Sequence, residues 1–240
     1  MSTSTLNSGK SNDNSNVVDI FSRKTFTSLK NERFIRLSPE YDGLSMLYST
    51  CKTTQEKLFT MKILCWAIRD NGEVVALVPW LNKILPCNKL DDPFYGQFEG
   101  YYDLTSESVF YNPPLHKVTE LQTTVGYYDY SNEDPDTILQ EIPDTIGTHA
   151  MLNTNDAHSL ILTEVLSWRL LNDGRIQAML IDESMVAVTP VLPGDPCLYP
   201  AEENPDFRYF FQHQIANQIK SKDPDAIAAI ALLFENSLFE

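Results

Sequence analysis

The amino-acid sequence predicts an α+β fold of two related halves, each with a central antiparallel hairpin or meander covered by helices, a C-terminal helix pair among them. Two observations lead there. Trp66, Gly72, Val74, Ala76 and Val78 recur as Trp168, Gly174, Ile176, Ala178 and Leu180 at a constant offset of 102 residues, as expected of a duplicated strand–turn–strand unit. Helix start signals flank β-rich runs rather than alternating with every strand, which separates α+β from a doubly wound parallel sheet. Across one gap, Pro86 with Asp92-Pro93 matches Pro190 with Asp195-Pro196. A site common to the halves would lie in these equivalent loops or between them.

Taken in order, residues 1–16 are nearly all Ser, Thr, Asn, Asp, Gly and Lys, which predicts a disordered tail. Val17 to Leu29 suits either a short helix or an extended arm. In Ser38-Pro39-Glu40, serine as cap and proline at the first helical position predict a helix ending near Thr50. Residues 60–69 and 73–80 surround Asp70-Asn71-Gly72 and read as a hairpin. With Asn71-Gly72 as the central pair of a type I′ turn, Ala67 faces Ala76 and Trp66 faces Leu77. Both faces are apolar, so this hairpin is expected inside a sheet covered on both sides. The second copy, residues 164–171 and 175–182, carries Arg169 and Gln177 and is expected to be more exposed. Residues 185–191 would add a third strand, and residues 116–130 fit either strand or helix. Asp134-Pro135-Asp136 opens a helix through Glu141, and Asn204-Pro205-Asp206 and Asp223-Pro224-Asp225 open two more. The halves divide as 17–131 and 132–240, or form one intimate domain.

Charge is unevenly distributed along the chain. Residues 1–100 hold twelve Lys/Arg against eleven Asp/Glu, while residues 101–240 hold six against twenty-two. An acidic second half repels nucleic acid backbones and anionic lipid, which are bound by neutralising phosphates with Lys and Arg. No direct nucleic acid binding and no membrane association are expected. No secretory h-region follows Met1, and no run of about 20 apolar residues is present. Cys51, Cys65, Cys87 and Cys197 show neither Cys-x-x-Cys nor zinc spacing, so they read as reduced structural thiols in a cytoplasmic protein.

No phosphate-binding loop, dinucleotide fingerprint, His-Glu-x-x-His or Gly-x-Ser-x-Gly occurs. No cofactor, resident metal or catalytic residue is therefore assigned. The leading expectation is a non-enzymatic adaptor or regulatory protein that binds another protein, a basic one where charge decides. Its candidate surface comprises Asp91, Asp92, Tyr127, Tyr128, Glu133, Asp134, Asp136, Asp195, Glu202 and Glu203, with carboxylates steering a partner and tyrosines anchoring it. For the aspartates the competing reading is capping or turn initiation, as Asp-Pro pairs commonly serve. The alternatives are a metal-assisted hydrolase using carboxylates with His149, His158 or His213, and a nucleic-acid mimic occupying a basic cleft. Sequence leaves the oligomeric state open.

Overall fold

The computed structural model describes residues 33–50, 57–92, 96–124, 134–154, 160–182 and 197–212. It is mostly β, four small sheets set in a propeller-like ring with one longer helix among the described residues, and this overturns the expected α+β fold with covering helices. The first repeat runs β1 (Phe34–Pro39), β2 (Leu44–Thr50), β3 (Lys57–Lys62), β4 (Cys65–Arg69), β5 (Val74–Trp80), β6 (Lys83–Pro86), a 3-10 turn (Cys87–Lys89), β7 (Asp91–Asp92), β8 (Gly96–Asp103) and β9 (Ser108–Phe110). A helix, α1 (Leu115–Thr124), follows. The second repeat runs β10 (Ile138–Pro143), β11 (His149–Asn153), β12 (Leu160–Glu164), β13 (Ser167–Leu171), β14 (Ile176–Ile181), β15 (Leu198–Pro200), a 3-10 turn (Ala201–Glu203) and β16 (Phe207–Phe211).

The repeats share their sheet arrangement, though β7 and β9 of the first have no counterpart among the described strands of the second. Sheets β1-β4-β5-β6 and β10-β13-β14-β15 correspond, as do β3-β2-β8-β7 and β12-β11-β16. Trp66 pairs with Ala76 and Trp168 with Ala178, and the register shifts between Phe34 and Arg36 and between Ile138 and Gln140 fall at the same step of the ladder. Each hairpin turns through three residues. Gly72 N–H donates to Arg69 O and Arg69 N–H to Glu73 O, while Gly174 N–H donates to Leu171 O and Leu171 N–H to Arg175 O. Gly72 at φ +84 and Gly174 at φ +89 take the left-handed residue of this bulged turn. The type I′ turn expected from Asn71-Gly72 is thus one residue short. Ala67 pairs with Val75, not Ala76, and the one-residue slip moves β5 to the opposite face.

Trp66, Ile68, Val74, Ala76 and Val78 consequently share the first core, whereas Leu64, Cys65, Ala67, Val75 and Leu77 lie in the second, beside Trp168, Leu170 and Phe210. The first hairpin is covered on both faces, as its all-apolar strands require. In the second copy Gln177 is buried and the Arg169 side chain mostly so, in place of the expected exposure. The Arg169 guanidinium lies 3.2 Å from Glu141, whose other carboxylate oxygen accepts from Ser167 Oγ.

Three expected helices are strands. Residues 39–50 end β1 and form β2, because Tyr48, Met46 and Leu44 alternate inward at strand spacing. Residues 138–143 form β10, after a turn in which Thr137 N–H donates to Asp134 O. Residues 207–211 form β16, paired with β11, with Phe210 and Phe211 buried on opposite sides in the two cores. Local N-cap and proline signals here start turns, and strand pairing overrides them. Residues 116–124, left open by sequence, are helical and use Val118 and Leu121 to close the first core. The tail 1–16, the arm 17–29, the strand at 185–191 and the helix from 223 lie outside the described residues.

Each repeat is pinned by a buried tryptophan. Trp66 Nε1 donates to Glu40 Oε2, and Trp168 Nε1 donates to Asp144 Oδ1 at 2.8 Å. The second carboxylate oxygen accepts backbone N–H groups of the following turn, Asp42 and Leu44 in one case, Gly147 and Thr148 in the other. Replacing Glu40 by Ala strands a buried indole N–H and two turn amides, so chemical denaturation should show a loss of about 1–3 kcal/mol. A change within 0.5 kcal/mol would show that solvent satisfies these donors. Gly72→Ala meets open space and should cost about 1 kcal/mol for its positive φ. Gly174→Ala should cost clearly more in the same assay, because its Cβ would lie 2.4 Å from Arg33 Cγ and 3.0 Å from Phe34 N.

Candidate functional site

Of the ten acidic and tyrosine positions singled out from sequence, the structure describes six, in three separate segments. Tyr127, Tyr128, Glu133 and Asp195 lie outside the described residues. Asp91 and Asp92 form the two-residue β7, paired with Gln97 and Gly96 at the edge of the first repeat. Their structural counterparts are not Asp195-Pro196. Leu77 pairs with Pro86 and Met179 with Pro200, so the second repeat reaches the same point ten residues later than the Pro190 alignment implied. A longer connection after β14 makes up the difference.

Asp134 and Asp136 lie in the turn that precedes β10. The Asp134 carboxylate accepts the N–H of Asp136, a turn role of the kind expected for the competing reading. Asp136 pairs with Arg175, which also contacts Asp173. Hydrogen bonds to Asp173 and then to Asp136 hold the Arg175 guanidinium above its ordinary pKa.

Glu202 and Glu203 sit in the 3-10 turn after β15, on the wall of a cleft of about 470 Å³ between the repeats. Phe34, residues 82–84 and Arg175 also line it. The Glu202 carboxylate accepts the N–H of Ala178 at 3.2 Å, and desolvation against the sheet pushes its pKa above the ordinary glutamate value. Gln177 Nε2 donates to Glu203 Oε1 at 3.2 Å.

A second surface was missed from sequence because its residues come from four separate segments. Tyr41, Leu104, Tyr111 and Leu115 are 69% to 79% exposed. Leu44 pairs with Asp103, and His116 Nε2 lies 2.9 Å from Asp42 Oδ2, so Tyr41, Leu104 and Leu115 gather at one end of the sheet containing β2 and β8. Asp42 is held below its ordinary value, chiefly by that bond to His116. Lys117, buried on α1, reaches the same Asp42 oxygen at 3.5 Å. Asp103 is also lowered, first by the Ser106 hydroxyl. Val109 and Phe110, successive residues of β9 on opposite faces, are each about 40% exposed. Tyr101, by contrast, is buried against Trp66 and serves the core.

His149 approaches Gly147 O with its ring, while His158 and His213 lie outside the described residues. Among the described residues no three His, Cys, Asp or Glu side chains are placed to hold a metal ion. Cys65, Cys87 and Cys197 are buried and outside any disulfide. Burial raises Cys65 and Cys87, the opposite of what activates a nucleophile. Among the described residues no helix is long and apolar enough to cross a membrane. No family model matches the chain, and no curated protein or solved structure matches it.

Because the Glu202 carboxyl is raised in the folded state, its protonated form is favoured there. Its contribution to stability is fully present below the unfolded glutamate value near pH 4.5 and is lost as pH rises through the raised folded value. Glu202→Gln should therefore gain stability relative to the parent between pH 4 and pH 7, measured as the shift in urea midpoint at the two pH values. An equal offset at both would show that desolvation does not govern this carboxyl.

Proposed function

We propose that this chain is a cytoplasmic, non-enzymatic adaptor or regulatory protein that binds a basic protein partner. The observation that carries the reading is the exposed apolar end formed by Tyr41, Leu104 and Leu115, bordered by Asp42, Asp103 and Glu107. Large apolar side chains exposed by more than two thirds and grouped together mark interaction surfaces more often than scattered ones do. An aromatic and aliphatic centre inside an acidic rim matches the anatomy of protein interfaces. Residues 101–150, which supply Leu104, Tyr111 and Leu115, carry nine acidic residues and one lysine. That charge selects a basic partner and speeds encounter. Buried cysteines outside any disulfide at positions 65, 87 and 197 suit a reducing compartment.

The test is affinity capture at two salt concentrations with the parent and with the Leu104→Asp, Leu115→Asp double variant. Both side chains are exposed, so thermal melts should agree within a few degrees. The expected outcome is a basic protein recovered with the parent, lost with the variant, and associating more slowly at high salt. Identical recovery with both proteins would overturn the reading, as would a partner indifferent to ionic strength.

A further inference from the structure

We infer that the exposed apolar end around Tyr41, Leu104 and Leu115 is covered by a basic segment of the same chain, residues 20–31, which a protein partner must displace. The inference rests on the reading of that end as an interaction surface and names its resident occupant. Residues 20–31 hold Arg23, Lys24 and Lys30 and no acidic residue, although the chain as a whole is net −15. Ile20, Phe21, Phe26 and Leu29 make the same segment apolar. The exposed end has the complementary character, with Tyr41, Leu104 and Leu115 at its centre and Asp42, Asp103 and Glu107 at its border. His116 and Lys117 share the Asp42 carboxylate, whereas Asp103 and Glu107 have no ion-pair partner among the described residues. A basic segment that carries aromatic side chains meets both needs at once, covering the apolar centre and facing the two unmatched carboxylates.

The path of the chain brings the two within reach. Arg33 is fixed where the segment joins the fold: its carbonyl accepts the Asp70 N–H at 2.9 Å, and its side chain lies over Gly174. The same hairpin turn receives the end of α1, because Gln122 Nε2 donates to Gly72 O at 3.3 Å. Gln122 stands in the last turn of α1 and Leu115 opens it. The anchorage of the segment and the exposed end thus lie at opposite ends of one helix, about 10–15 Å apart along its axis. Phe26 precedes Arg33 by seven residues and Phe21 by twelve, and extended chain spans about 23 Å and about 40 Å over those lengths. Both aromatic side chains reach the exposed end of their own molecule with chain to spare. A tether of this length holds the segment at an effective concentration on the order of 1 mM, so a contact with a dissociation constant of about 0.1 mM is mostly closed.

The experiment uses the full chain in two forms, the parent and Phe21→Ser with Phe26→Ser, and follows a dye-labelled peptide of residues 17–32 by fluorescence anisotropy. The parent should bind the peptide about tenfold more weakly than the variant, because its own segment competes at that effective concentration. Adding Leu104→Ser and Leu115→Ser to the variant should weaken peptide binding at least about tenfold. Both leucines are exposed, so the thermal melt should move by no more than a few degrees. Sedimentation should find the parent monomeric. Equal peptide affinity of parent and variant, no binding to the variant, or binding that survives the two leucine substitutions overturns the inference. A parent dimer that dissociates in the Phe21→Ser, Phe26→Ser variant overturns it as well, by placing the segment on a second copy. No outside partner enters these measurements, so the inference fails on the peptide results, whereas failure to capture a basic protein falls on the partner reading.

Discussion

Everything in each repeat depends on one buried contact, an indole N–H held by a carboxylate. Trp66 and Trp168 are fully buried at the same step of their ladders, and each donates to an acidic residue just past the preceding edge strand, Glu40 or Asp144. The carboxylate is costly to bury unless its oxygens are filled, and the turn that follows fills them with backbone N–H groups. One side chain thereby fixes the end of a strand, the path of a turn and the seat of the largest core residue. An aromatic neighbour completes the unit, Tyr101 at 5.1 Å from Trp66 and Phe210 at 5.4 Å from Trp168. Glutamate in one repeat and aspartate in the other reach the same indole by slightly different paths. The constraint is geometric rather than a matter of residue identity.

Two copies of this unit do not simply sit side by side. The first core is closed by α1 through Val118 and Leu121, while the second is closed by the outer face of the first repeat's own hairpin, Cys65, Ala67, Val75 and Leu77. Met151, Leu160 and Phe211 of the second repeat return into the first core. Polar contacts fix the fit. The Gln140 amide exchanges two hydrogen bonds of 2.9 Å with the Leu37 main chain, and Phe210 N–H donates to Leu81 O. At the corresponding outer face of the second repeat, Glu141, Ser167, Arg169 and Gln177 replace apolar residues.

That asymmetry is also where function can enter. A cleft of about 470 Å³ lies between the repeats, lined by the charged side chains of Lys83, Arg175, Glu202 and Glu203 together with apolar residues. At the far end of the first repeat, α1 is moored by Asp42 to His116 and Lys117 and by Ser38 to Glu120. The mooring keeps Leu115 in place beside Tyr41 with its side chain in solvent. Both surfaces carry carboxylates next to apolar groups. Both arise at boundaries of the duplicated unit, where packing within a repeat imposes least.

The duplication was legible in the sequence because tryptophan, glycine and alternating apolar residues repeat at fixed spacing, and each has a physical role that tolerates little change. The covered faces of the first hairpin followed from its uniform apolarity. Tertiary structure alone decided the rest. Ser38-Pro39 and Asn204-Pro205 carry real helix-start chemistry, yet pairing of residues 44–50 and 207–211 with distant strands outweighs a local preference of at most about 1–2 kcal/mol. Glu40 and Asp144 stand at an offset of 104 and the tryptophans at 102, so their partnership was invisible to a fixed-period comparison. Of the candidate site, Glu202 and Glu203 were visible as charge, but their place in a cleft depends on which β-faces meet. Tyr41, Leu104 and Leu115 share no periodicity at all. They come together only because β2, β8 and α1 end at the same point of the folded chain, and no local pattern records where separate segments end in space.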